Sequence, residues 1–118
     1  MKIFKDFTFE AAHKLPLVPQ DHKCFNLHGH SFKVRVCVEG PLDSFGWVMD
    51  FSQVKSICSP IISSLDHKYL NEIQGLENPT SENISVWLWQ KLKPSLDGLE
   101  SIEIMETCNS GCIYNGKD

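Results

Sequence analysis

Residues 30–39 alternate strictly, with Phe32, Val34, Val36 and Val38 facing one way and Lys33, Arg35, Cys37 and Glu39 the other. A period of two sustained over this length suits a β-strand with one face in a core and the other in water. Segment 2–12, KIFKDFTFEAA, repeats the pattern: Phe7, Phe9 and Ala11 oppose Asp6, Thr8 and Glu10, and His13 continues the apolar parity. Two half-buried strands of this kind predict an antiparallel sheet that must be covered on one face.

The covering elements follow further along. Ser52 is placed to cap a helix whose apolar positions are Val54, Ile57, Cys58, Ile61, Ile62 and Leu65, with Pro60 expected to kink it. Thr80 or Ser81 caps a second helix, with Glu82 in its first turn and Ile84, Trp87, Leu88 and Leu92 as its buried stripe. Trp47–Met49 reads as a short extended piece. Segment 99–107 is a third strand, with Ile102, Ile104 and Glu106 on one face, and 111–114 a short fourth. The order ββααββ predicts an α+β architecture: a four-stranded antiparallel sheet with two helices on one face, in a single domain spanning residues 1–118. Its edge strands predict assembly with other copies.

Composition excludes several classes. With 42% hydrophobic and 22% charged residues in 118, the chain is neither a disordered tail nor a coiled coil. The net charge is −4 and no basic cluster stands out, which argues against nucleic-acid binding. No apolar run reaches the ~20 residues of a membrane span, and the start, MKIFKDFTFE, is too charged for an export signal. Five cysteines, an odd number, then predict free thiols in a reducing cytoplasm.

Chemistry concentrates at Leu27-His28-Gly29-His30. Histidines at i and i+2 on a strand point the same way, here with the parity of Phe32 and Val34. A hairpin joined by the 14–27 loop allows His13 to sit opposite the start of the second strand, where three imidazoles would converge; the simpler alternative is three unrelated histidines in hydrogen bonds. Three neutral nitrogens suit zinc and leave a fourth position open, the arrangement of a catalytic rather than a structural ion. Cys24, four residues before His28, reads three ways: as a fourth ligand, as a thiolate activated by the nearby metal charge, or as a loop cysteine without a role. Asp66-His67 puts a carboxylate and an imidazole at one helix end, where capping is the simpler role and a proton relay to Cys24 the functional one. Cys37 and Cys58 read as inert, and the C-x₃-C spacing of Cys108 and Cys112 is a weak zinc signal. Glu106 shares the parity of Ile102 and Ile104. Unless it twists to solvent, it needs a multiply hydrogen-bonding partner, and a ligand with a guanidine-like edge matches its two oxygens.

Taken together, FEAAH at 9–13, Cys24, LHGHSF at 27–32, MDF at 49–51, LDHKYLN at 65–71, ENPTSEN at 77–83 and ETCNSGCIY at 106–114 resemble the 6-pyruvoyl-tetrahydropterin synthase superfamily over essentially the whole chain. The three residues between Cys24 and His28, with Asp50-Phe51, are similar to its carboxypterin-forming branch, which serves queuosine and other 7-deazapurines. The resemblance implies the T-fold, in which three subunits join sheets edge to edge into a barrel and two trimers usually stack. It implies 7,8-dihydroneopterin triphosphate as substrate, and 6-carboxytetrahydropterin, acetaldehyde and triphosphate as products. Carried over by position, it implies that His13, His28 and His30 hold Zn2+ and that Cys24 is a general acid/base with Asp66 and His67 completing its relay. It further implies that Glu106 anchors the pterin, with Thr107, Thr80 and Ser81 adding hydrogen bonds to the ring.

Overall fold

A computed structural model of the chain describes residues 1–117. In chain order the elements are β1 (Lys2–His13), β2 (His28–Glu39), α1 (Phe51–Ser63), β3 (Lys68–Tyr69), α2 (Ser81–Leu92), β4 (Leu99–Thr107) and β5 (Ser110–Tyr114). The sheet order is β3-β1-β2-β4-β5. The β1–β2, β2–β4 and β4–β5 pairs are antiparallel, while β3 runs parallel to β1.

The alternation of the first two strands becomes the pleat of the central pair. Phe9, Phe32, Val34, Val36, Ile102 and Ile104 are buried beneath the helices. Phe9 and Phe32 stack with ring centroids 4.8 Å apart. Both helices present a buried stripe to this face: Val54, Cys58 and Ile62 from α1, and Ile84, Ser85, Leu88 and Leu92 from α2. Truncating a fully buried ring such as Phe9 to alanine typically costs ~3–5 kcal/mol, since the cavity left behind only partly collapses.

Three details differ from the sequence expectation. The sheet has five strands, because the two residues of β3 pair with Ala11 and Ala12 of β1. Val48 and Met49 lie in a bend, and residues 47–49 join no strand. The cap of α1 is Asp50, whose carboxylate accepts from the Ser52 amide at 2.8 Å and the Ser52 hydroxyl at 2.9 Å, so Ser52 is a donor inside the first turn. An anion at this end also suits the helix dipole. Helix α1 carries Pro60 within its span. Thr80 does cap α2, accepting from the Asn83 amide at 3.1 Å. Gly111 is required by close packing at the β4–β5 turn, where a side-chain Cβ would sit 2.3 Å from the Ile104 carbonyl oxygen.

Candidate metal centre

The register of β1 on β2 builds the centre. His13 pairs directly with His28, and Ala11 with His30, so the three imidazoles share one face at one end of the sheet. One ring nitrogen from each lies within 4.8 Å of the others. His13 and His30 meet the ring of Phe32 edge-on, at 5.5 and 5.6 Å between centroids. The cluster therefore stands on an aromatic floor continuous with the core.

Two of the rings are oriented by carbonyl groups. His13 Nδ1 donates to the Pro79 carbonyl at 2.8 Å, and His28 Nδ1 to the Asn26 carbonyl at 2.7 Å. Each bond places the proton on Nδ1 and leaves Nε2 with a free lone pair. His13 is 1% exposed, and its Nε2 is buried without a hydrogen-bond partner. An orphaned buried acceptor is costly unless something else meets it. Burial also pushes His13 below the usual imidazole pKa, with the Pro79 bond and Glu106 opposing this more weakly. Glu106 Oε1 lies 3.7 Å from His13 Nε2, too far for a hydrogen bond, so the ring nitrogen stays without a donor. Three imidazole nitrogens, one of them buried without a partner, fit a borderline divalent ion such as zinc, and among the described residues the cluster holds no fourth side-chain ligand.

Cys24 sits in a single 3-10 turn, Lys23–Phe25, whose start is capped by His22 Nδ1 accepting from the Cys24 amide at 3.0 Å. The Cys24 carbonyl accepts from the Leu15 amide at 2.7 Å, which draws the turn toward the end of β1. Asp66 and His67 follow α1 on the surface. Asp66 Oδ1 accepts from the Glu10 amide at 2.9 Å, and Oδ2 meets His67 Nδ1 at 2.9 Å. The Glu10 amide first, and then His67, hold the Asp66 carboxyl below the usual range. His67 takes a left-handed backbone at φ 57°, uncommon for any residue but glycine and a mark of a constrained position. It borders a groove of about 540 Å³ that also reaches Glu10, Ser31 and His30. Among the described residues, no hydrogen bond joins the Cys24 thiol to Asp66 or His67.

Glu106 is half-buried at the rim of the centre, and with Thr107 it lines a second groove of about 500 Å³. The Thr107 hydroxyl already closes the β4–β5 turn, within 2.6 Å of the Ser110 hydroxyl and 3.2 Å of Asn109. Thr80 is engaged as the helix cap, and Ser81 opens α2. Arg35, the one arginine, is taken by Asp6 at 2.8 and 3.1 Å. Of the thiols read as inert, Cys58 is buried and Cys37 half-buried. Cys58 is fully buried and pushed up to about 11, and burial also raises Cys37 and Cys112. Sequence reasoning missed Pro79 and Asn26, because each contributes a backbone carbonyl, which no side-chain pattern reveals.

An α+β sheet carrying three histidines on adjacent strand ends, beneath two helices, defines the T-fold class. The family model described as 6-pyruvoyl tetrahydropterin synthase matches residues 2–117. A 6-carboxy-5,6,7,8-tetrahydropterin synthase of Synechocystis is 46% identical, over 95% of this chain and 91% of its own. A dihydroneopterin monophosphate aldolase of Pyrococcus furiosus is 37% identical, over 77% of this chain and 74% of its own. The solved structure of Caenorhabditis elegans 6-pyruvoyl tetrahydropterin synthase superimposes with a TM-score of 0.91 at 27% identity, covering 99% of this chain and 96% of the other. The chain belongs to the 6-pyruvoyl tetrahydropterin synthase family. No helix among the described residues is long and apolar enough to cross a membrane.

Proposed function

We propose that this chain is a zinc-dependent 6-carboxy-5,6,7,8-tetrahydropterin synthase, a cytoplasmic enzyme of queuosine and 7-deazapurine biosynthesis. One catalytic domain converts 7,8-dihydroneopterin triphosphate to 6-carboxytetrahydropterin, acetaldehyde and triphosphate. The observation that carries the metal part is the buried, partnerless Nε2 of His13 beside two like-facing imidazoles. The 46% identity to the Synechocystis protein supports the choice of branch.

A divalent ion held by His13, His28 and His30 supplies Lewis acidity toward the hydroxyls of the substrate's three-carbon side chain. Cys24 takes and returns protons at that side chain. Asp66 fixes His67 through Nδ1, leaving Nε2 to exchange protons with the thiol. Glu106 accepts from the pterin 2-amino group and the adjacent ring N–H, with Thr107, Thr80 and Ser81 around the ring. The bond between the first and second side-chain carbons breaks. The first carbon stays as the carboxylate, and the other two leave as acetaldehyde once triphosphate has departed. Net oxidation of the side chain is balanced by reduction of the dihydropterin ring, and one water is consumed, so no external oxidant enters. The exposed β5 edge, with Ile113 71% exposed, favours sheets joined between copies as a trimer or dimer of trimers. A neighbouring copy is then a natural source of the Asp66–His67 pair for a given Cys24.

The test is incubation of the zinc-loaded protein with 7,8-dihydroneopterin triphosphate, followed by mass analysis of everything formed. Acetaldehyde with the carboxypterin is the expected result. A product retaining all three side-chain carbons identifies a pyruvoyl-type synthase, and no product identifies a binding protein. Dihydroneopterin monophosphate is the control substrate, given the aldolase name of the Pyrococcus relative.

A further inference from the structure

We propose that Asn71 is a positioning residue for the three-histidine centre, an inference that rests on the zinc reading of that centre. Its Oδ1 accepts from the Lys14 amide at 3.0 Å, and its Nδ2 donates to the Lys14 carbonyl at 2.8 Å and to the Glu77 carbonyl at 3.3 Å. The side-chain amide thus uses both of its N–H groups and an acceptor, as a neighbouring peptide would. It takes over where backbone pairing of β1 with β3 stops, at Ala12 with Tyr69, and carries that edge past His13. Glu77 lies two residues before Pro79, whose carbonyl receives the proton of His13 Nδ1.

One side chain therefore ties the residue after a metal ligand to the segment that sets the ligand's tautomer and ring angle. Without it, the Lys14 amide and carbonyl lose their partners on this side and the two segments are free to separate. His13 could then keep its burial and still lose its aim. Outer partners of this kind commonly tune metal affinity by about 10–100-fold. Asn71 touches neither metal nor substrate in this role.

The experiment measures zinc affinity of the full chain by competition with a chromophoric chelator, for the wild type, Asn71→Ala and Asn71→Asp. Visible spectra of the cobalt(II)-substituted proteins and thermal unfolding of the metal-free proteins accompany it. The expected result is affinity weakened by about 10–100-fold in Asn71→Ala, with an altered cobalt spectrum. Asn71→Asp keeps the shape and serves where alanine does not fold. Its added negative charge favours a cation, so weaker zinc binding there reports the lost donor bonds. A folded variant with affinity within twofold of wild type overturns the proposal, even where metal-free unfolding temperature drops, because that pattern belongs to a structural residue alone. A wild-type chain that takes up no zinc overturns the metal reading together with it, whereas wild-type binding with unaffected variants overturns only the role of Asn71.

Discussion

His13 and His67 are both imidazoles beside β1, yet their side chains are 1% and 78% exposed. His13 is held on three sides, by the cross-strand ring of His28, the Phe32 floor and the Pro79 carbonyl. His67 hangs from a left-handed backbone at the open rim of a groove, with Asp66 as its bonded partner. The difference separates two kinds of work. Metal ligation needs fixed vectors and a dry lone pair, and a single sheet supplies both. In the proposed reaction, proton transfer at a substrate needs groups around the reacting atoms, and His67 borders an open groove. Under the proposed function, the acid–base half of the site would be completed by substrate or by a second copy.

That contrast breaks first at the ligands. His28→Ala should leave zinc stoichiometry near zero and turnover undetectable, measured by metal analysis of the purified protein and by acetaldehyde release. Full zinc content in this variant would remove the three-histidine assignment. Next in size is Cys24→Ala. Turnover should fall by about 10²–10⁴-fold, the usual worth of a general acid/base. Zinc content and unfolding temperature should match wild type, because the 3-10 turn is held by backbone atoms and by His22 rather than by the thiol. Zinc lost in this variant would make Cys24 a fourth ligand and erase the contrast.

How much was legible from the residues follows the same division. Strand parity placed His13, His28 and His30 on one face before any coordinates, because period-two alternation is a local property and β1 and β2 hold register over their full length. The helices were legible for the same reason, from Val54, Cys58 and Ile62 at four-residue spacing. What failed was local and turn-like. Ser52 and Asp50 are both good caps, and the choice rests on where the chain leaves extended backbone, which is a tertiary outcome. β3 is two residues long and exists because the Asp66-His67 turn brings it against β1, so no propensity announces it. Strand parity leaves Glu106 open between the buried face and a twist to solvent, and its half-exposed side chain lies 3.7 Å from His13 Nε2. A register shift between Met105 and Thr107 accompanies its half-exposed position.

Glu106 gives the third way to sharpen the comparison, since it lies between the two halves, 3.7 Å from His13 Nε2 yet lining an open groove. Glu106→Ala should weaken pterin binding by about 10–100-fold, the range for hydrogen bonds to a charged group at ~1.5–3 kcal/mol. Zinc content should stay whole. Titration of the zinc-loaded variant with a non-reacting pterin reads the affinity. Unchanged affinity would count against anchoring, and lost zinc would move Glu106 into the metal half.

The smallest expected effect concerns Asp66 in acid. Its folded pKa is depressed, chiefly by the Glu10 amide and secondly by His67. A depressed carboxylate stabilises the fold at pH values above its unfolded pKa of about 3.9, and that contribution is lost as pH falls through the lower folded value. Asp66→Asn keeps an oxygen for the Glu10 amide and removes the charge. The variant should therefore unfold a few degrees or less below wild type at neutral pH, with the gap closing as pH drops below about 4. Asp6, held down by Arg35, titrates in the same range but in both proteins, so it cancels in the difference. Because Asp66 is exposed, added salt should narrow the neutral-pH gap as well. A gap that stays constant from pH 7 down to pH 2 would show that the bond from Glu10 draws nothing from the carboxylate's charge. Asp66 would then act as a structural stop after α1.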